Sequence, residues 1–253
     1  MEGCGSNRPV PREGWQREGA RNWNMKRNVS LEEISDGRLY GIHDMVKADC
    51  HGCEGCFACC TGMGNSVILD PYDVYRLQKG LKKEFSVLLE EGKVELHVVD
   101  GVILPNLKME GEEERCVFLD GQGRCGIHES RPGICRLFPL GRYYEKGDFK
   151  YFLQVGECKE VNRSKVKVEK WIDTPQQRQN HDFICEWHEL LKQIEEAANQ
   201  EGEEMNLDVG KQLNMLLLKL FYLMPYALEE DFYGQFEMRV TSYRKSFLCH
   251  RAE

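Results

Sequence analysis

Nine cysteines fall between residues 50 and 158, and their spacing constrains this chain more than any other feature. The first five form the run Cys50-x2-Cys53-x2-Cys56-x2-Cys59-Cys60; Cys116-x8-Cys125-x9-Cys135 and then Cys158 follow. Two-residue spacers let consecutive thiolates curl round one ion or cluster, with the intervening amide N–H groups pointing at the sulfurs. Thiols gathered this densely without metal would repel one another as thiolates and oxidise, so ligation is the economical explanation. The plainer reading, that a cysteine is a small buried hydrophobe, suits Cys4, Cys185 and Cys249, which stand outside the run.

How the thiols are read depends on their compartment. Residues 1–30 carry Arg8, Arg12, Arg17, Arg21, Lys26 and Arg27, yet no apolar stretch follows them as a secretory signal requires. The most apolar segment, Leu213 to Leu228, is interrupted by Asn214, Lys219 and Pro225; it is too short for a bilayer and predicts a buried helix. The expected location is therefore cytoplasmic, where thiols stay reduced and dense cysteines point to metal rather than disulfides. With 253 residues, 41% hydrophobic and 30% charged, the chain can bury a core without covalent staples. Its net charge of −8 argues against a nucleic-acid partner or an anionic membrane, both of which attract excess Lys and Arg.

The pattern along the chain predicts an α+β protein: a small cysteine-rich metal-binding module with short β-hairpins and helices, followed by a C-terminal helical segment. Residues 1–45 are expected to be a flexible or loosely docked arm, 46–162 the cysteine-cluster module, and 163–253 a helical segment packing on it. Asp70-Pro71 opens a helix, with Asp70 as N-cap and Pro71 at the first helical position, and Gly80 is expected to end it. A second helix is predicted over Lys82 to Glu91. Lys93 to Val99 and Val102 to Leu104 flank Asp100-Gly101 as a hairpin, because Asp-Gly suits a tight primed turn. Short strands are predicted at Val117–Leu119, Arg142–Tyr144 and Phe149–Val155, with Gly147-Asp148 turning the last pair. From Ser164 the period becomes helical. Three apolar faces follow: Phe183, Trp187, Leu190, Leu191, Ile194; Leu213, Leu216, Leu217, Leu220, Met224; and Phe232, Phe236, Val240, Phe247.

Taken in order, Cys53-x2-Cys56-x2-Cys59-Cys60, Cys116-Val-Phe-Leu-Asp, Cys125-Gly-Ile-His and Arg131-Pro-Gly-Ile-Cys135-Arg-Leu-Phe-Pro-Leu140 resemble the YkgJ-type cysteine-cluster family, described as zinc- or iron-chelating. The resemblance covers roughly residues 48–190. It implies metal ligation by Cys56, Cys59, Cys60, Cys116, Cys125 and Cys135, with Cys53 and Cys158 completing the set; Cys50 is extra to the usual pattern. A related group, the flagellin lysine N-methylases, carries a similar cluster and implies methyl transfer from S-adenosylmethionine. No glycine-rich strand-to-helix signature for that cofactor accompanies it here, so the methylase comparison is an analogy.

Around the thiols, Pro132 and Pro139 restrict the backbone on both sides of Cys135. Arg131 and Arg136 either offset thiolate charge or form salt bridges with the many acids. His51 and His128 adjoin cysteines and could substitute for a thiol, although a hydrogen-bonded surface imidazole is the commoner case. His181, Cys185 and His188 share one helix face at ligand-like spacing, which solvent-facing polar residues would equally produce.

Eight or nine thiols exceed the four that one zinc ion or one cubane takes, and adjacent Cys59-Cys60 cannot easily both bind one small ion. The balance favours an iron–sulfur cluster over zinc. Three functions are compatible: a module for redox, sensing or metal handling; a metal-dependent enzyme, for instance lysine methylase-like; or a zinc-stapled domain whose helices bind an unknown protein partner. The chain has no P-loop, dinucleotide fingerprint or acid–base constellation.

Overall fold

The computed structural model describes residues 31–51, 56–160, 162–199 and 204–250. Its elements begin with α1 (Leu31–Ile34), β1 (Met45–Asp49), α2 (Pro71–Leu81), α3 (Phe85–Glu90), β2 (Val94–Val99) and β3 (Val102–Leu107). Next come β4 (Met109–Glu110), β5 (Arg115–Cys116), α4 (Gly133–Leu137), β6 (Leu140–Glu145), β7 (Asp148–Leu153) and β8 (Ser164–Lys167). The helices α5 (Val168–Ile172), α6 (Gln177–Asn199), α7 (Glu204–Leu218) and α8 (Phe232–His250) finish the chain. The strands pair antiparallel as β1–β8, β2–β3, β4–β5 and β6–β7, so the protein is α+β, as expected. Two compact units result, one from Met1–Cys53 with Leu137–Asp173, the other from Glu54–Arg136 with Thr174–Glu253.

In the first unit β6 and β7 form a hairpin, and the segment before β1 runs beside it. Tyr40 N–H donates to the Tyr151 carbonyl at 2.7 Å, and Tyr151 N–H returns the bond at 2.9 Å. The turn of the hairpin is Lys146-Gly147, both at positive φ (54° and 78°), one residue earlier than predicted. Two-residue turns with both residues left-handed match the strand twist, which explains the shift. Val46, Ala48, Leu140, Phe152 and Val168 fill the core. Gly141 lies flat against the Phe152 ring, where a Cβ has no room. The helical start predicted at Ser164 is wrong: residues 164–167 are β8, alternating half-buried and exposed residues against β1, and the helix starts at Val168. The four-residue alternation was too short to stand out beside the helical period after it.

In the second unit, Asp70 caps α2 as expected: its carboxylate accepts the Asp73 N–H at 2.8 Å. The helix runs through Gly80 and stops at Lys82, which takes the left-handed conformation. Gly80 is small for a different reason: a Cβ there would stand 2.8 Å from the Ser130 Cβ. Hairpin β2–β3 turns at Asp100-Gly101 with φ of 54° and 81°, as the primed-turn reading requires. The strand predicted at Val117–Leu119 is displaced to Arg115–Cys116, leaving Leu119 in a single bridge to Cys125.

Aromatic side chains unite the helices of this unit. Phe183 on α6 meets Phe236 at 4.7 Å and Phe232 at 5.3 Å, both edge-on, while Tyr72 on α2 lies 4.9 Å from Phe232. Each such pair adds roughly 1 kcal/mol beyond the area it buries. The predicted α6 face is buried throughout: Phe183, Trp187, Leu190, Leu191 and Ile194. The α7 face follows the predicted one as far as Leu217 and then departs from it. Leu213 and Leu217 are buried, but the chain then widens into a π-turn over Lys219–Leu223, burying Phe221 and Tyr222 and leaving Met224 40% exposed. One extra residue per turn rotates every later side chain out of the 3.6-residue register. Phe232, Phe236 and Val240 are buried as expected; the Phe247 side chain lies outside the described residues. No helix among the described residues is long and apolar enough to cross a membrane.

Candidate metal centre

The second unit draws thiols from four separate stretches of chain into mutual electrostatic contact. Ala58–Cys60 form a 3-10 turn closed by the Cys60 N–H to the Phe57 carbonyl at 2.8 Å, which places Cys59 and Cys60 side by side. Thr61 then bridges to Arg115, so this turn runs alongside β5 and Cys116. Between Cys116 and Cys125 the chain doubles back. Asp120 Oδ1 accepts N–H groups of Gln122 (2.9 Å) and Arg124 (2.8 Å), and Gly126 N–H reaches the Phe118 carbonyl at 2.7 Å. Asx-type loops of this kind tighten a turn with a side chain in place of backbone. Gly123, at φ +75°, passes under the Phe57 ring too closely for any Cβ, which seals this loop against the 3-10 turn.

Two sulfurs accept backbone N–H groups two residues ahead, Cys116 from Phe118 and Cys125 from Ile127. Such bonds favour thiolate, and they are the amide-to-sulfur contacts that short loops between ligands supply. Cys135 arrives on α4, whose start is fixed by Asp73. The Asp73 side chain accepts the Gly133 N–H at 2.7 Å and the Asp70 N–H at 3.2 Å while only 3% exposed. The sequence reading missed Asp73; Asp-x-x-Asp at the start of α2 is a capping-box pattern and could have flagged it.

The electrostatics of these thiols are one-sided. Cys59 is held down to about 7, chiefly because the Cys60 thiol donates to it, with Arg131 assisting; Cys60 keeps the shared proton and is pushed up. Burial raises Cys116, Cys125 and Cys135, and each is raised further by neighbouring thiols. Cys135 is raised well above the usual thiol value, first by burial, with Cys116, Cys59, Asp73 and Cys125 also opposing its charge. A pocket of clustered sulfurs with one nearby guanidinium is short of positive charge. A bound cation would invert this balance and let all of them ionise.

The other sequence-predicted residues are placed as follows. Cys56 is exposed, and Cys53 lies outside the described residues. Cys158 is half-buried in the first unit, as Cys50 is buried at the end of β1. Nine cysteines among the described residues are in no disulfide. Of the two arginines, Arg131 faces Cys59 and Cys125 and favours their thiolates, whereas Arg136 turns its guanidinium to the Glu129 carbonyl. His51 is exposed, its N–H bonded to Asp49 at 2.9 Å. His128 is exposed on a 3-10 turn, lowered by desolvation and by Arg131, Arg136 and Arg124. On α6, His181 Nδ1 and Cys185 Sγ stand 4.0 Å apart, and burial pushes His188 down to about 4.

Fold and site thus define an α+β protein with a half-buried group of thiols. A family model with the signature CxxCxxCC, described as "Putative zinc- or iron-chelating domain", matches residues 52–181. The chain belongs to that family, the YkgJ-type family its motifs resemble. Comparison with curated proteins and with solved structures gives no significant match.

Proposed function

We propose that this protein holds an iron–sulfur cluster in its second unit and serves in electron transfer, redox sensing or iron handling. The carrying observation is that the thiols of Cys59, Cys60, Cys116, Cys125 and Cys135 converge from separate stretches and raise or lower one another. An all-sulfur donor set with amide N–H groups on its sulfurs fits a cluster, which takes thiolate ligands and is tuned by such hydrogen bonds. Five thiols are one more than a single tetrahedral zinc or a single cubane takes, so the count does not separate them; the adjacency of Cys59 and Cys60, which crowds one small ion, is what favours a cluster. Cys53, Cys56 and Cys158 stay in the proposed set on the strength of sequence order alone. Bound there, the cluster would supply one-electron chemistry; the chain's part is to present thiolates and offset charge with Arg131. We place the protein in the cytosol, where its thiols remain reduced.

Zinc is the second reading, favoured by the family description, which names both metals. In that case the metal is a staple that fixes the turn, the doubled-back loop and α4 together. Anaerobic purification without a metal-affinity tag, followed by a visible spectrum and assays of iron, labile sulfide and zinc, separates the two. A brown protein with about four iron and four sulfide per chain establishes the cluster. A colourless protein with tightly held zinc sinks it in favour of the staple, and a folded metal-free protein overturns both.

A further inference from the structure

Beside Cys125, on the outer side of the doubled-back loop, the second unit has an open cleft of about 520 Å³. Its walls are α2, contributing Arg76 and Lys79, and the stretch Cys125, Gly126, His128 and Glu129. The volume falls within the roughly 300–1,000 Å³ of small-molecule sites.

The charges in this cleft are unusual for a chain with net charge −8. Arg76 and Lys79 lie one helical turn apart on α2, and each is held in place by neutral groups. The Arg76 guanidinium lies 5.8 Å over the Tyr72 ring and donates to the Glu129 carbonyl. The Lys79 ammonium lies 5.9 Å over the Tyr75 ring and donates to the Leu228 carbonyl at 2.9 Å. Tyr72 and Tyr75 are themselves stacked at 6.1 Å. Rings and carbonyls orient a cation without neutralising it. The Arg136 guanidinium donates to the same Glu129 carbonyl, adding to the positive field. Glu129 is the one carboxylate among the lining residues, which also include the cationic Arg76 and Lys79.

We propose that this cleft binds the oxyanion group, carboxylate or phosphate, of a small molecule, held by Arg76 and Lys79 beside Cys125. An arginine fork with a lysine point charge is the usual donor pair for such groups. Gly126, exposed and without a side chain, leaves the floor next to Cys125 open. The ligand would then sit against the thiol cluster, and that is where a substrate or an allosteric anion would sense the state of a metal. The inference stands apart from the metal assignment, because every group that holds the anion belongs to α2.

The test is isothermal titration of the full-length protein at low salt with inorganic phosphate and, separately, with succinate. Iron and zinc content are assayed on the same samples. Saturable binding of at least one probe is expected, weakened about ten-fold or more by Arg76→Gln or Lys79→Gln, the loss typical of one charge-assisted hydrogen bond. Glu129→Gln is expected to tighten it by removing the opposing charge. Tighter phosphate assigns a phosphoryl ligand, and tighter succinate a carboxylate. Failure of both probes to saturate, or equal affinity in all three variants, overturns the proposal. If Arg76→Gln does not fold by circular dichroism, exposed Lys79 and Glu129 decide the matter. A wild-type protein free of metal would overturn the cluster reading and leave the anion titration to be judged by itself.

Discussion

The Gly133 N–H donates to Asp73 Oδ1 at 2.7 Å, tying the first turn of α2 to the first turn of α4. That carboxylate is buried, and desolvation and the Asp70 charge raise it well above the usual carboxylate range. Its partners are two backbone N–H groups, which a neutral amide oxygen serves equally well. Asp73→Asn is therefore expected to stay within about 1 kcal/mol of wild type, whereas Asp73→Ala, leaving two buried donors unmet, should cost about 2–4 kcal/mol. Urea unfolding of both variants checks this; equal loss in the two would mean that charge, not acceptance, is what α4 requires.

Legibility followed the range of the interaction. The Asp70-Pro71 start of α2 and the Asp100-Gly101 turn are decided by two or three adjacent residues, and both were read correctly. The cysteine run identified the family because spacing is itself a sequence property. What was hidden depends on residues far apart. The Ser164–Lys167 strand exists because β1, over a hundred residues earlier, offers it an edge. Gly80 looked like a helix stop because its tight approach to Ser130 is invisible along the chain. The offset at Lys219–Leu223 could not be seen either, since carbonyls at and after it are met by an arginine on another helix.

That arginine is Arg239 on α8. It is 5% exposed and donates to the carbonyls of Leu220 (2.7 Å), Met224 (2.8 Å) and Pro225 (2.8 Å), with its guanidinium carbon 3.5 Å from the Tyr226 ring centre. The widened turn leaves carbonyls that no helical N–H reaches, and Arg239 satisfies them. Arg239→Ala should destabilise the protein by about 3 kcal/mol or more, and Arg239→Lys, a point charge in place of a fork, by an intermediate amount. Thermal unfolding measures both. A lysine variant as stable as wild type would show that charge alone holds the turn.

The thiols offer a sharper contrast. Cys135 sits where burial and four neighbouring groups oppose its charge, a position that only a bound cation would relieve. Cys185 lies on α6 next to His181, and Cys50 at the end of β1. Cys135→Ser is expected to lose most bound metal, while Cys185→Ser and Cys50→Ala keep it, as elemental analysis of the purified variants would show. Full metal retention in Cys135→Ser would remove α4 from the proposed site.

Acid sensitivity should trace in part to His188. Burial, reinforced by the Lys192 charge, holds this imidazole down to about 4, below its ordinary value near 6.5. Above pH 6.5 the ring is neutral in folded and unfolded chains alike, so it adds no pH dependence. As pH falls below 6.5 the unfolded chain takes up a proton that the folded chain refuses, and stability declines; the decline levels off below about pH 4, where the folded form is protonated as well. Allowing for the ring's partial exposure, the loss is about 1–2 kcal/mol over that window. His188→Gln cannot titrate, so chemical unfolding from pH 7.5 to 4 should give it a flatter curve than wild type, the carboxylates contributing equally to both. Parallel curves would mean that His188 titrates alike in the folded and unfolded chains, and that another group carries the acid response.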